Sequence, residues 1–151
     1  MLVLLLIVAS LVAVTVAVHA AGFDALLRTM VRSHALNLTG FTRITGLLIG
    51  MMCWLVMVHV VEIAIWGFFY LWLGCMSDGA TAFYFSSVTY TSIGDATLAL
   101  PAAWRLLAPL EAMLGILMFG VSASLFFAVI SRWISNWIHK EHEAEVRSAG
   151  R

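Results

Sequence analysis

The chain has 151 residues, 63% hydrophobic and only 11% charged, whereas an ordinary soluble domain is roughly 45–50% apolar and about 25% charged. With a mean hydropathy of +1.02 it falls in the membrane class, and its length leaves no room for a soluble catalytic domain. Eight basic and eight acidic side chains cancel, which removes the basic face a nucleic-acid partner requires. Cys53 and Cys75 lie in or beside apolar runs without the spacing of a metal site or a disulfide framework.

Three runs are long enough for the roughly 20-residue helix that crosses a bilayer. Residues 1–22 carry no charge, residues 44–74 carry only Glu62, and residues 106–131 carry only Glu111. Val18-His19-Ala20 resembles a signal-peptide cleavage site. No basic n-region precedes it and the run is long for an h-region, so retention as an N-terminal transmembrane helix is expected. Arg28, Arg32 and Arg43 separate the first two runs, and Arg132, Lys140, Arg147 and Arg151 follow the third. Arg105 alone lies on the other side, with Asp78 and Asp95. The positive-inside rule then predicts a multi-pass protein of the cell (plasma or inner) membrane, N-terminus outside and C-terminus cytoplasmic.

The connection over 23–43 has two open readings. Phe23, Leu26, Leu27, Met30 and Val31 follow helical spacing opposite Asp24, Arg28 and Arg32. That pattern fits an amphipathic helix on the cytoplasmic surface, and a plain structured linker fits as well. Gly40 and Gly46 bracket its join to the second run, and the sequon Asn37-Leu38-Thr39 falls on the cytoplasmic side, where it is discounted.

Residues 78–97 are too short and polar to span. Ser77-Asp78-Gly79 offers a helix start, and residues 80–90 make about three turns, roughly 16 Å or half a bilayer. Thr91-Ser92-Ile93-Gly94-Asp95-Ala96 follows. Irregular backbone at membrane depth survives only where protein buries it or water reaches it. The expected layout is therefore an outer helix at 44–74, a re-entrant pore helix at 79–90, a filter loop at 91–96 and an inner helix at 106–138. A tail at 139–151 either extends that helix or is disordered.

The segment Thr89-Tyr90-Thr91-Ser92-Ile93-Gly94 resembles the T-x-T-T-x-G stretch of the potassium-channel superfamily filter. The flanking order matches over roughly 44–135, leaving 1–43 outside the resemblance. The resemblance implies an all-α homotetramer in the lipid bilayer. In it, Thr91, Ser92, Ile93, Gly94 and Asp95 form the selectivity filter, and carbonyls and hydroxyls replace the ion's hydration shell. It implies permeating K+ and Na+, with Ca2+ permeating or blocking, and no other cofactor or metal.

The filter departs from G-Y-G-D, reading Gly94-Asp95-Ala96-Thr97. Ungapped, it is similar to the T-V-G-D-G of bacterial non-selective sodium/potassium channels and close to the T-I-G-E-T of cyclic-nucleotide-gated channels. With a two-residue gap, Asp95 instead takes the acidic position after G-Y-G and the filter is shortened. Both alignments lose the bracing aromatic and the second glycine, and a left-handed Ala96 would cost about 1–2 kcal/mol. A ring of Asp95 carboxylates attracts cations, divalents most. The expected activity is weakly selective monovalent conduction. The alternatives are a potassium-selective channel and a non-conducting subunit that modifies another channel.

Other intramembrane residues keep paired readings. Gly115 and Gly120 serve as hinges, or as close-packing points with Ser122, Ala123 and Ser124. Leu125, Phe126, Phe127 and Ile130 close the inner mouth by dewetting, or pack against lipid and core. His59 and Glu62 share a helix face as a proton-sensitive gating pair, or as a structural hydrogen bond to the pore helix or the first span. Glu111 supports the filter from behind, pairs with Arg105, or caps at the interface. Trp54, Trp66, Trp72, Trp104, Trp133 and Trp137 read mostly as interfacial belts. His59, Glu62 and Glu111 make no recognisable nucleophile–base or metal set, so no enzymatic activity is expected.

Overall fold

The computed structural model describes residues 2–32 and 41–149. Among these the chain is all-helical: α1 (Leu2–Arg32), α2 (Phe41–Trp72), α3 (Gly79–Tyr90) and α4 (Leu107–Ala149). Segments Leu5–Arg32, Thr42–Trp72 and Leu107–His139 are long and apolar enough to cross a membrane, so the protein is a multi-pass membrane protein. The sequon at 37–39 and Gly40 lie outside the described residues.

Helix α1 corrects the expected division at residue 22, because it continues unbroken to Arg32. The apolar stripe of 23–32 is real, but protein covers part of it. Leu26 and Met30 are buried with Met51, Leu55 and Val129 in one apolar layer. Asp24, Arg28 and Arg32 face outward, with Arg28 Nε donating to Asp24 Oδ2 at 2.6 Å. Residues 23–32 thus continue the first span's helix and form no separate helix. At the other terminus α4 runs through the tail to Ala149.

Helix α3 packs between α2 and α4, and α1 packs on α2 with further contacts to α4. A second apolar layer surrounds α3, built on Leu11, Trp66, Tyr70, Phe85, Leu107 and Leu114. Between the two layers lie the buried polar groups His19, His59, Glu62 and Ser122. Tryptophan indoles tie α1 to α2. Trp66 Nε1 donates to Thr15 Oγ1 at 3.1 Å, and Trp54 Nε1 donates to the Gly22 carbonyl at 2.9 Å. Trp66 is fully buried, which removes it from the expected belt. Its ring fills the core and its one donor needs an internal acceptor.

Candidate functional site

Helix α3 has 12 residues, about 18 Å of rise, or half a bilayer. Asp78 starts it from an extended conformation, its carboxylate accepting from Thr81 N at 2.9 Å and Thr81 Oγ1 at 2.8 Å. These bonds hold the Asp78 carboxyl below its ordinary range. At the far end the chain folds back on the helix terminus. Ser92 N donates to the Thr89 carbonyl at 2.9 Å, and Gly94 N donates to the Val88 carbonyl at 2.8 Å. This satisfies carbonyls that a helix end leaves open. It places Ser92 at φ 60° and Gly94 at φ 70°. Glycine accepts that region freely, whereas serine is held there at a cost of about 1–3 kcal/mol.

Thr91, Ser92, Ile93 and Gly94 are all exposed, Ile93 at 78%. Thr91 Oγ1 donates to the Ser87 carbonyl at 2.8 Å. Asp95 is half-buried and closes its own turn, with Oδ1 accepting from Thr97 N at 2.7 Å and Thr97 Oγ1 at 2.6 Å. The Tyr84 hydroxyl donates to Oδ2 at 3.2 Å. The Thr97 bonds, with a smaller part from Tyr84, hold the Asp95 carboxyl below its ordinary range. Ala96 is absent from the positive-φ residues. The left-handed strain considered for Ala96 is therefore not incurred.

The loop rests on a packed support. A Cβ on Gly115 would lie 2.1 Å from the Tyr90 carbonyl oxygen and 3.0 Å from its carbon, so α4 touches the end of α3 backbone to side-chain-free backbone. Glu111 is fully buried on α4 and accepts from Ser86 Oγ at 2.5 Å and from the Tyr70 hydroxyl at 2.6 Å. It joins α2, α3 and α4 behind the loop. Of the three readings for Glu111, support from behind is the one this geometry supplies.

His59 and Glu62 do share a face, with His59 Nδ1 3.1 Å from Glu62 Oε2. The pair is larger than two residues. His19 on α1 places Nδ1 2.8 Å from Glu62 Oε1, and the Tyr90 hydroxyl at the end of α3 donates to Glu62 Oε2. His59 Nε2 lies 3.1 Å from Ser122 Oγ on α4, and His19 Nε2 lies 3.4 Å from the same oxygen. The cluster thus draws one group or more from every helix. The structural bond to pore helix and first span is present. In the sequence His19 stands out only as part of a cleavage-like triplet.

The sequence profile of a family described as an ion channel matches residues 55–132, just over half of the chain. The chain belongs to this ion-channel family. No curated protein and no solved structure matches it. The matched stretch holds most of α2, all of α3 and the loop, and the first part of α4. The channel's α1, with His19, lies outside it.

The remaining sequence-predicted residues divide by face of α4. Gly115 is a close-packing position against Tyr90. Gly120 has nothing within 4 Å of a Cβ position, so the close packing expected for it is not formed within the chain. Ser122 is buried, while Ala123 and Ser124 are exposed. Phe126 is half-buried against the apolar layer of Leu26, Met30, Met51, Leu55 and Val129, and Phe127 is 71% exposed. Met113, Ile116, Leu117, Val121 and Phe127 form an exposed stripe at helical spacing. Gly120 lies within that stripe.

Proposed function

We propose that this ion channel is a homotetrameric pore that conducts K+ and Na+ with weak selectivity, Ca2+ permeating or blocking. The observation that carries the reading is the loop at 91–95, with residues 91–94 exposed, at the end of a half-membrane helix. The negative end of the α3 dipole favours a cation in front of that loop. One chain supplies one loop, and one loop cannot enclose an ion. Four copies around an axis would, with the exposed stripe of α4 below as the pore wall. Phe127 on that stripe is then the better gate candidate, since Phe126 turns toward its own chain's core.

In this arrangement the Asp95 carboxylates ring the outer mouth. Mutual repulsion raises their pKa values, and the Thr97 bonds within each chain oppose that rise. Loss of the second glycine removes the outermost carbonyl layer, which favours weak discrimination between K+ and Na+. The charge bias places the N-terminus outside and the C-terminus in the cytoplasm. The test is current from the purified chain reconstituted alone. Conduction is expected, and silence from a folded tetramer would replace the pore by a non-conducting subunit.

A further inference from the structure

The fold brings together metal-ligating side chains of α1 and α2 that lie far apart in the sequence. His19, His59 and Glu62 are buried, and one ligand atom from each lies within 4.8 Å of the others. The Tyr90 hydroxyl joins them, 3.1 Å from His59 Nδ1 and bonded to Glu62. We propose that this cluster is an intramembrane site for one zinc-class divalent ion per chain. Its donors are His19 Nδ1, His59 Nδ1, the Glu62 carboxylate and the Tyr90 oxygen.

Four features support the assignment. Two imidazoles with a carboxylate suit Zn2+ and its neighbours, whereas K+, Na+ and Ca2+ take oxygen ligands, so the site is chemically separate from the permeation path. His59 and Glu62 stand three apart on one helix face, a spacing that recurs among helix-borne metal ligands. Both Nε2 atoms converge on Ser122 Oγ, at 3.1 and 3.4 Å. A metal-bound imidazole needs an acceptor for its other N–H, and one hydroxyl oxygen has two lone pairs to serve both rings. When both Nδ1 atoms instead donate to the ionised Glu62, two Nε2 acceptors compete for the single Ser122 proton. Metal binding removes that competition.

The fourth feature is charge. Two neutral imidazoles and one carboxylate leave a divalent ion with one net positive charge, which is costly at membrane depth. Tyr90 bound as phenolate brings the site to neutrality, its proton leaving as the ion binds. His19 and His59 are only 3% and 6% exposed and Glu62 is 0%, so a bound ion would be shielded from solvent. Once bound, it ties α1 to the family-matched pore unit.

The test uses the full-length protein, stripped of metal in detergent and titrated with Co2+ and then Zn2+. Expected are one Co2+ per chain with the intense visible bands of tetrahedral cobalt, proton release, and displacement by Zn2+. Zn2+ should also raise the melting temperature, where Mg2+ and Ca2+ do not. His19→Gln should weaken binding by more than about 100-fold, and Ser122→Ala by about 10–100-fold. Changing His34, His139 and His142 to Gln should leave binding intact. The proposal is overturned if wild-type protein of normal melting behaviour takes up no stoichiometric Co2+. It is equally overturned if binding survives His19→Gln or disappears with the three-histidine variant. None of these readouts requires current, so failure here leaves the pore proposal standing.

Discussion

Gly115→Ala tests whether the contact between α4 and the end of α3 holds the loop at 91–96 in place. The added methyl would sit 2.1 Å from the Tyr90 carbonyl oxygen, 3.0 Å from its carbon and 3.2 Å from its ring. Ordinary contact is about 3.5 Å, so the helices must separate by about 1 Å or more. The obstacle is backbone at a helix terminus and cannot rotate aside. Overpacking of this kind costs about 1–3 kcal/mol, against up to about 1 kcal/mol gained because alanine suits a helix better than glycine. With the full helix-propensity gain the net loss is up to about 2 kcal/mol, or up to roughly 8 °C for a chain of this size. Tyr90 also bonds Glu62, so the displacement reaches the polar cluster and the loop that follows Tyr90. The assay is thermal melting of the purified channel, with single-channel recording as the functional readout. Gly120→Ala is the control, since a Cβ there meets nothing within 4 Å, and it should melt no lower than wild type. A Gly115→Ala channel with unchanged melting and unchanged current would refute the packing argument.

Tyr70→Phe removes one of the two hydroxyl donors to buried Glu111. It should lower stability by about 1–3 kcal/mol, the cost of an incompletely satisfied buried group, seen as earlier melting. Asp95→Asn should keep the assembly, because Asp95 sits in a turn outside the packed core. It should lower single-channel current several-fold at about 0.01 M salt, where the Debye length is about 30 Å, and far less at 0.15 M, where it is about 8 Å. Within each chain the Thr97 bonds depress the Asp95 pKa, and repulsion among four copies raises it, so the four carboxylates should protonate in steps. Wild-type current should fall gradually as pH is lowered across and below the ordinary carboxylate range, while Asp95→Asn stays flat. Equal currents at low salt would take Asp95 off the ion path.

The spans and the half-crossing are legible because each rests on local signals. Run length sets α1, α2 and α4, and the Asp78 cap sets the start of α3. The end of α1 is not legible at Gly22, since a helix tolerates one glycine when a neighbour needs the space. A Cβ there would come 2.6 Å from Val58 Cγ2. His19 stayed hidden because its partner Glu62 is 43 residues away. The available signal was its face: Leu11, Thr15, His19, Leu26 and Met30 line one side of α1 and are all buried. A polar pair at i, i+4 within such a stripe points to a buried network. Trp66 misled for the opposite reason, since tryptophan suits both interface and core, and only the position of Thr15 decides between them.

The central claim is conduction with weak discrimination among monovalent cations, and a planar-bilayer recording of the purified chain under a sodium/potassium gradient tests it most directly. The expected result is current from the chain alone with a reversal potential near zero. A reversal potential at the potassium equilibrium value would show that the Gly94-Asp95-Ala96 loop keeps full potassium selectivity. It would contradict the reading given to Asp95 and Ala96.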